Sequence, residues 1–194
     1  MNKALAGVLA VALIGLVAGS AMAQVPNIQV YFDANHTQTQ RNCPGVPPFT
    51  LIDSLYVVMN NWNMNVTGVD FSIHYPPSVV WIADHLVDTS IQASLGSSPA
   101  GIAIVYANCC PADGFQNVEV LRPVFVWGVC DCAQSPPPQA IVVGGYEPLG
   151  KTQPTAVRKE DFALFSGLGM TSLICPGPIA VQPSTWGQVK ALYR

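Results

Sequence analysis

Charge is scarce in this chain. Of 194 residues only 10% are Asp, Glu, Lys or Arg, and just three are His. Eight scattered Lys and Arg exclude the basic patch that nucleic acid selects. Only Glu119, Glu147 and Glu160 represent glutamate, so a paired-carboxylate glycosidase, whose two acids meet only in the fold, has little to draw on. There is no G-x-S-x-G elbow, no H-E-x-x-H helix and no Walker loop. Long amphipathic helices are missing too; the best helical candidates are a turn at 158–165, RKEDFALF, and the terminal 185–194, TWGQVKALYR. Past residue 23 no apolar run approaches the roughly 20 residues that a bilayer span requires.

What is present begins with an address. Lys3 precedes an apolar run from Leu5 to Val17, and Ala21-Met22-Ala23 has the small-x-small form that signal peptidase cuts. Residues 1–23 are therefore expected to be a bacterial secretory signal peptide. Cleavage would leave a single domain, 24–194, secreted or held at the cell surface. No Cys follows the apolar run, so no lipid anchor is expected. Within the mature chain the acids concentrate in 24–121, where Arg41 stands alone against seven of them.

Six cysteines, Cys43, Cys109, Cys110, Cys130, Cys132 and Cys175, suit an exported chain in which an even count signals disulfides. Zinc is the competing use, but Cys109-Cys110 and Cys130-x-Cys132 are not C-x-x-C knuckles. The runs GIAIVYANCC and VFVWGVCDC are expected to be antiparallel neighbours. That would set Cys109 or Cys110 near Cys130 or Cys132, with Cys43 and Cys175 joining the remaining sulfurs.

Short β-branched and aromatic runs occur at 27–33, 54–60, 66–75, 79–87, 90–96, 101–108, 118–128 and 140–146, separated by Gly, Pro, Asn and Ser. Their spacing predicts an all-β, two-sheet antiparallel sandwich, jelly-roll or immunoglobulin-like, rather than alternating β–α units. In 66–75 the residues Val69, Phe71, Ile73 and Tyr75 alternate with Asp70, Ser72 and His74, so one face belongs to the core and the other to solvent. Pro76-Pro77 stops pairing, because neither residue has an N–H to donate. The strand at 79–87 is expected to return beside 66–75 as a hairpin. The Pro-rich 133–139, AQSPPPQ, should be extended, with the segment after it completing the same fold.

The run LYVVMNNWNMNVTGVDFSIHYPPSVVWIADHL, residues 55–86, resembles the core signature of cohesin-type and related carbohydrate-binding sandwich modules. Gly68, Val69, Phe71, Ile73, Tyr75, Pro77, Ser78 and Val79 fill its G-V-x-F-x-I-x-Y strand and P-S-V turn. The chain is also similar to exported proteins of environmental bacteria, a likeness that implies secretion and β-structure but no activity. The resemblance implies a non-catalytic fold, disulfide-stapled here where cohesins are typically not Cys-rich. No D-x-[DN]-x-[DN]-G loop of the dockerin type is present.

Function is thus expected from binding rather than catalysis. One partner class is an extracellular protein, or a second copy in self-assembly, met by edge strands and the acidic half. The other is polysaccharide, with Trp62 as a stacking platform among Asn60, Asn61 and Asn63; the alternative is that Trp62 caps the core beside Met59 and Met64. Trp81 and Trp127 lie within strands and belong in the core. Asp33, Asp53, Asp70, Asp84, Asp88 and Asp113 are candidate ligands of a structural calcium. His74 and His85, on neighbouring strands with Asp70, Asp84 or Asp88 as a third ligand, are candidate metal ligands. No other cofactor is expected.

Overall fold

The computed structural model describes residues 25–62, 64–87, 90–107, 118–130, 132 and 139–176. Fourteen strands follow in chain order: β1 Asn27–Tyr31, β2 Gln40–Arg41, β3 Ile52–Ser54, β4 Tyr56–Asn60 and β5 Val66–His74. Next come β6 Val79–His85, β7 Ile91–Ser97, β8 Gly101–Tyr106, β9 Val118–Trp127 and β10 Gln139–Gly144. After a single 3₁₀ turn at Glu147–Leu149 the chain ends in β11 Thr155–Arg158, β12 Leu164–Ser166, β13 Leu168–Gly169 and β14 Thr171–Ile174.

The strands form two sheets. In the first, β9 takes β4 and β3 on one edge and β6 on the other, while β1 and β13 extend beyond β4. In the second, β5 is central: β8 and then β7 flank one side, and β10 and β11 flank the other. Most pairings are antiparallel, but β1 runs parallel to β13 and β2 parallel to β14, so the sheets are mixed.

The alternation read in 66–75 decides what β5 buries. Val69, Phe71 and Ile73 face inward, against Phe125 and Trp127 of the opposite sheet's β9, all within one core cluster. On the outer face His74 is exposed, but Asp70 is half-buried and Ser72 fully buried. An excursion between β10 and β11 lies there: Lys151 Nζ and Thr155 Oγ1 both donate to the Asp70 carboxylate, and Tyr146 and Pro148 stand against Gly101.

The expected hairpin of 66–75 with 79–87 does not form. β6 pairs with β9, not β5, so the Pro76-Pro77 turn carries the chain from one sheet to the other. Two adjacent residues without N–H groups cannot hold a tight ladder, and the apolar β6 instead completes the opposite sheet. Likewise β8 and β9 lie in opposite sheets and are not neighbours. RKEDFALF is not helical. Arg158 reaches across the turn to Asp161, Phe162 takes a left-handed φ of 57°, and β11 and β12 pair around them. The 185–194 segment lies outside the described residues.

At the open flank, β13 pairs with β1 and the next strand, β14, pairs with β10, so a single stretch crosses from sheet to sheet. The crossing needs Gly169, because a Cβ there would sit 1.9 Å from the Val143 carbonyl oxygen.

Gly169→Ala should therefore cost about 1–3 kcal/mol by overpacking against backbone that cannot yield. Gly150→Ala, left-handed but in open space, should cost only the left-handed penalty, about 1 kcal/mol. Urea unfolding of the two variants checks the order. At the β11–β12 turn, the Arg158 guanidinium and the Ala163 N–H hold the Asp161 carboxyl down at about 2. A depressed folded pKa means that this interaction is complete above the ordinary 3.8 and is lost as pH falls through about 2. Carboxyl chemical shifts should place the Asp161 midpoint there in the native protein and near the ordinary value in Arg158→Ala.

Candidate protein-interaction surface

Trp62 does not offer a stacking platform. Its side chain is only 8% exposed, its indole N–H donates to the Asn27 carbonyl at 3.0 Å, and its six-membered ring fills the space beside Gly167. Met59 is in the same core cluster and Met64 packs on it, so Trp62 caps one end of the core. Asn60 is buried, donating to Asn27 Oδ1 at 2.9 Å, and Asn61 makes the left-handed turn at φ 61°. Asn63 lies outside the described residues. Trp127 is core, whereas Trp81 is half-buried with its N–H on Asp84; Trp186 is not among the described residues.

The carboxylates expected to gather a calcium ion are occupied by the protein itself. Asp33 accepts from the Thr37 and Gln38 amides and the Thr37 hydroxyl. Asp53 takes the Trp127 indole N–H and an ion pair with Arg41 at 2.8 Å. Asp84 takes the Ser98 N–H and hydroxyl along with Trp81. Asp70 holds Lys151 and Thr155. Asp88 and Asp113 lie outside the described residues. His74 and His85 sit on opposite sheets and are not brought together; His74 faces Glu147 at 3.3 Å instead.

Chemistry has little to work with among the described residues. The nearest approach to a nucleophile–base–acid series is Ser72, His74 and Glu147, but the buried Ser72 hydroxyl makes no hydrogen bond. In the Tyr75–Ser98–Asp84 knot, burial pushes the Tyr75 phenol far above its ordinary range, so it stays protonated at neutral pH.

The disulfides are Cys43–Cys130 and Cys132–Cys175. They replace the expected pairing, in which Cys109 or Cys110 took Cys130 or Cys132, because β8 and β9 are not adjacent. Cys109 and Cys110 themselves lie outside the described residues. The sulfurs of Cys43, Cys132 and Cys175 lie within 4.8 Å of one another, but bonded sulfur offers no thiolate to a metal ion.

The feature that stands out on the surface is the outer face of β3, β9 and β6. Because Phe125 and Trp127 point inward, Val124 and Val126 point out. Register puts Ile52, Val126 and Val80 in one cross-strand row and Ser54, Val124 and Ala83 in the next. Ile52 is 66% exposed, Val80 39% and the bulged Ile82 47%, and neither row holds a charged side chain. A recess of about 460 Å³ adjoins the rows, lined by Ser54, His85, Leu86, Val87, Arg122 and Val124. Glu119 pairs with Arg122 at 2.9 Å and so neutralises it.

The signal for this face was present in the sequence but pointed the wrong way. SVVWIA and PVFVW are apolar at both parities, the pattern of strands covered on both sides. Here β6 and β9 have one face in the core and the other uncovered among the described residues.

The backbone is similar to the cohesin module from a Clostridium perfringens family 33 glycoside hydrolase. The TM-score is 0.52 at 9% identity, over 77% of this chain and 95% of that one. At a TM-score of 0.47 and 9% identity stands the sixth cohesin of Acetivibrio cellulolyticus scaffoldin B, solved with a dockerin, over 79% of this chain and all of the other. A type I cohesin–dockerin complex from Clostridium thermocellum gives 0.43 at 11% identity, over 76% and 99%. No family model and no curated protein matches the sequence. The fold is a cohesin-like β-sandwich.

Trp62→Ala should lower stability by about 3–5 kcal/mol, the cost of emptying a core site. Trp62→Phe should lose roughly 1 kcal/mol with its indole hydrogen bond. Denaturant melts of the pair distinguish a core cap from a surface platform, whose removal would leave stability nearly unchanged.

Proposed function

We propose that this chain is an exported, non-catalytic protein-interaction module that seats a folded protein partner on the outer face of β3, β9 and β6. The observation that carries this function is the two uncharged rows centred on Ile52, Val126 and Val80 beside the recess. Contiguous exposed apolar surface of this kind marks a contact site. The matching partner presents an aliphatic or aromatic patch without charge at its centre.

Docking on the face is favoured over strand addition at the edge. The bulge at Ile82 interrupts the edge of β6 that no described strand pairs, a device that discourages open-ended pairing with further copies. Export is supported by the signal-like residues 1–23 and by the two disulfides, which belong to an oxidising compartment. Among the described residues no helix is long and apolar enough to cross a membrane. The cohesin-like fold adds a precedent for binding without catalysis, while polysaccharide binding loses its expected platform at Trp62.

The test uses the oxidised protein and its Ile52→Asp/Val80→Asp variant side by side. Each is immobilised and exposed to proteins exported by the producing culture and to insoluble polysaccharides; any captured protein is identified, purified and titrated. An identified partner whose affinity drops at least tenfold with the double variant is the expected result, since roughly 1.4 kcal/mol corresponds to that factor. Equal affinity for both forms, retention on polysaccharide alone, or self-association unaffected by the substitutions would overturn the assignment.

A further inference from the structure

The four described cysteines are arranged in an unusual order. β2 and β14 run parallel, with Gln40 beside Leu173 and Arg41 beside Ile174, and the Cys175 N–H donates to the Arg41 carbonyl at 2.9 Å. Cys43 and Cys175 therefore leave the ends of adjoining strands. They are lateral neighbours, yet each is bonded elsewhere, Cys43 to Cys130 and Cys175 to Cys132. Their sulfurs are 3.0 Å apart. Neither sulfur carries a proton, so this is a contact between two disulfides rather than a hydrogen bond. The Cys43 N–H also points at Cys132 Sγ, at 3.5 Å.

We propose that these four sulfurs form a disulfide-exchange site, at which a small monothiol converts the pairs Cys43–Cys130 and Cys132–Cys175 into Cys43–Cys175 and Cys130–Cys132. The thiolate of the monothiol attacks Cys132 Sγ; a mixed disulfide forms there and the Cys175 thiolate leaves. Cys175 then attacks Cys43 Sγ, the sulfur 3.0 Å away, forming Cys43–Cys175 and expelling the Cys130 thiolate. Cys130 attacks Cys132 Sγ in the mixed disulfide, closes the Cys130–Cys132 bond and returns the monothiol. Three bonds form and three break, with no net oxidation and no thiol consumed.

The two isomers differ in what they tie. In the first, Cys130 and Cys132, which follow β9, are anchored to the ends of β2 and β14. In the second, β2 and β14 are bridged directly and residues 130–132 are closed only on themselves. The site stands whether or not the apolar face binds a partner, because it rests on the sulfurs alone.

The experiment begins by replacing Cys109 and Cys110 with Ser, which leaves only the four sulfurs of the site. Adding Cys132→Ser leaves one disulfide and one thiol. The folded protein is held at mildly alkaline pH, quenched in acid, alkylated and mapped by peptide mass spectrometry. Exchange predicts alkylation shared between Cys175 and Cys130, with the minor site at no less than about one-tenth of the major, independent of protein concentration. Label confined to Cys175 over hours would overturn the site. In parallel, the form with all four sulfurs is incubated natively with catalytic 2-mercaptoethanol. Growth of the Cys43–Cys175 and Cys130–Cys132 peptides without denaturant supports the site. Their absence, while a urea-unfolded control scrambles freely, overturns it even if the Cys132→Ser form does not fold.

Discussion

Two long strands facing each other across the sandwich hold this molecule together. β5 brings Val69, Phe71 and Ile73 to the centre, and β9 brings Phe125 and Trp127, ring against ring with centroids 5.1 Å apart. Each strand is the hub of its sheet, and the other strands are tied to it directly or through the strands between. A one-residue slip in either would turn its whole apolar set out of the core, and so the core fixes the register of both sheets. The remaining architecture consists of ways to join the two hubs. The double-proline turn hands the chain from β5 to β6, and the Gly169 crossing closes the opposite flank.

Scarcity of charge has a structural counterpart. Asp33, Asp53, Asp70 and Asp84 each accept several protein hydrogen bonds or an ion pair, tying loop to loop and strand to excursion. A carboxylate with satisfied oxygens is a fastening and has little capacity left for a metal ion or a substrate. These four acids thus serve the fold, which leaves an uncharged sheet face as the feature most suited to recognition among the described residues. The proposal of a binding face rests on that distribution more than on the likeness to a cohesin module, which at 9% identity extends to the fold only.

The disulfides work at an end of the sandwich where pairing is short. β2 and β14 share just two register pairs. Cys43–Cys130 joins residues 87 apart in sequence and Cys132–Cys175 residues 43 apart. Loops of that length favour a staple, each contributing roughly 4 kcal/mol in the chain-entropy account. Both staples meet at one point, which is why their sulfurs touch.

All eight strands expected from residue type and alternation are present, and so is the inward set of β5, because period-two patterning is a local property written in consecutive residues. The short strands β2, β3 and β11–β14 were not legible; two to four residues carry no periodicity, and their pairing partners lie far along the chain. Strand neighbours were not legible either. The Pro76-Pro77 turn looks the same in a hairpin as in a crossing between sheets, and only the competition of β6 for the edge of β9 decides between them. The same holds for the cysteines and for Trp62. An even number of cysteines in an export-like chain speaks for disulfides, but their partners depend on which strand ends meet. An indole in an Asn-rich turn is equally compatible with solvent or core until Gly167 and Asn27 are brought to it. By itself the sequence determined an all-β sandwich with its central strand facing the right way. Tertiary structure alone decided the sheet order, the disulfide partners and the exposed apolar face, because each depends on contacts between residues that no local pattern relates.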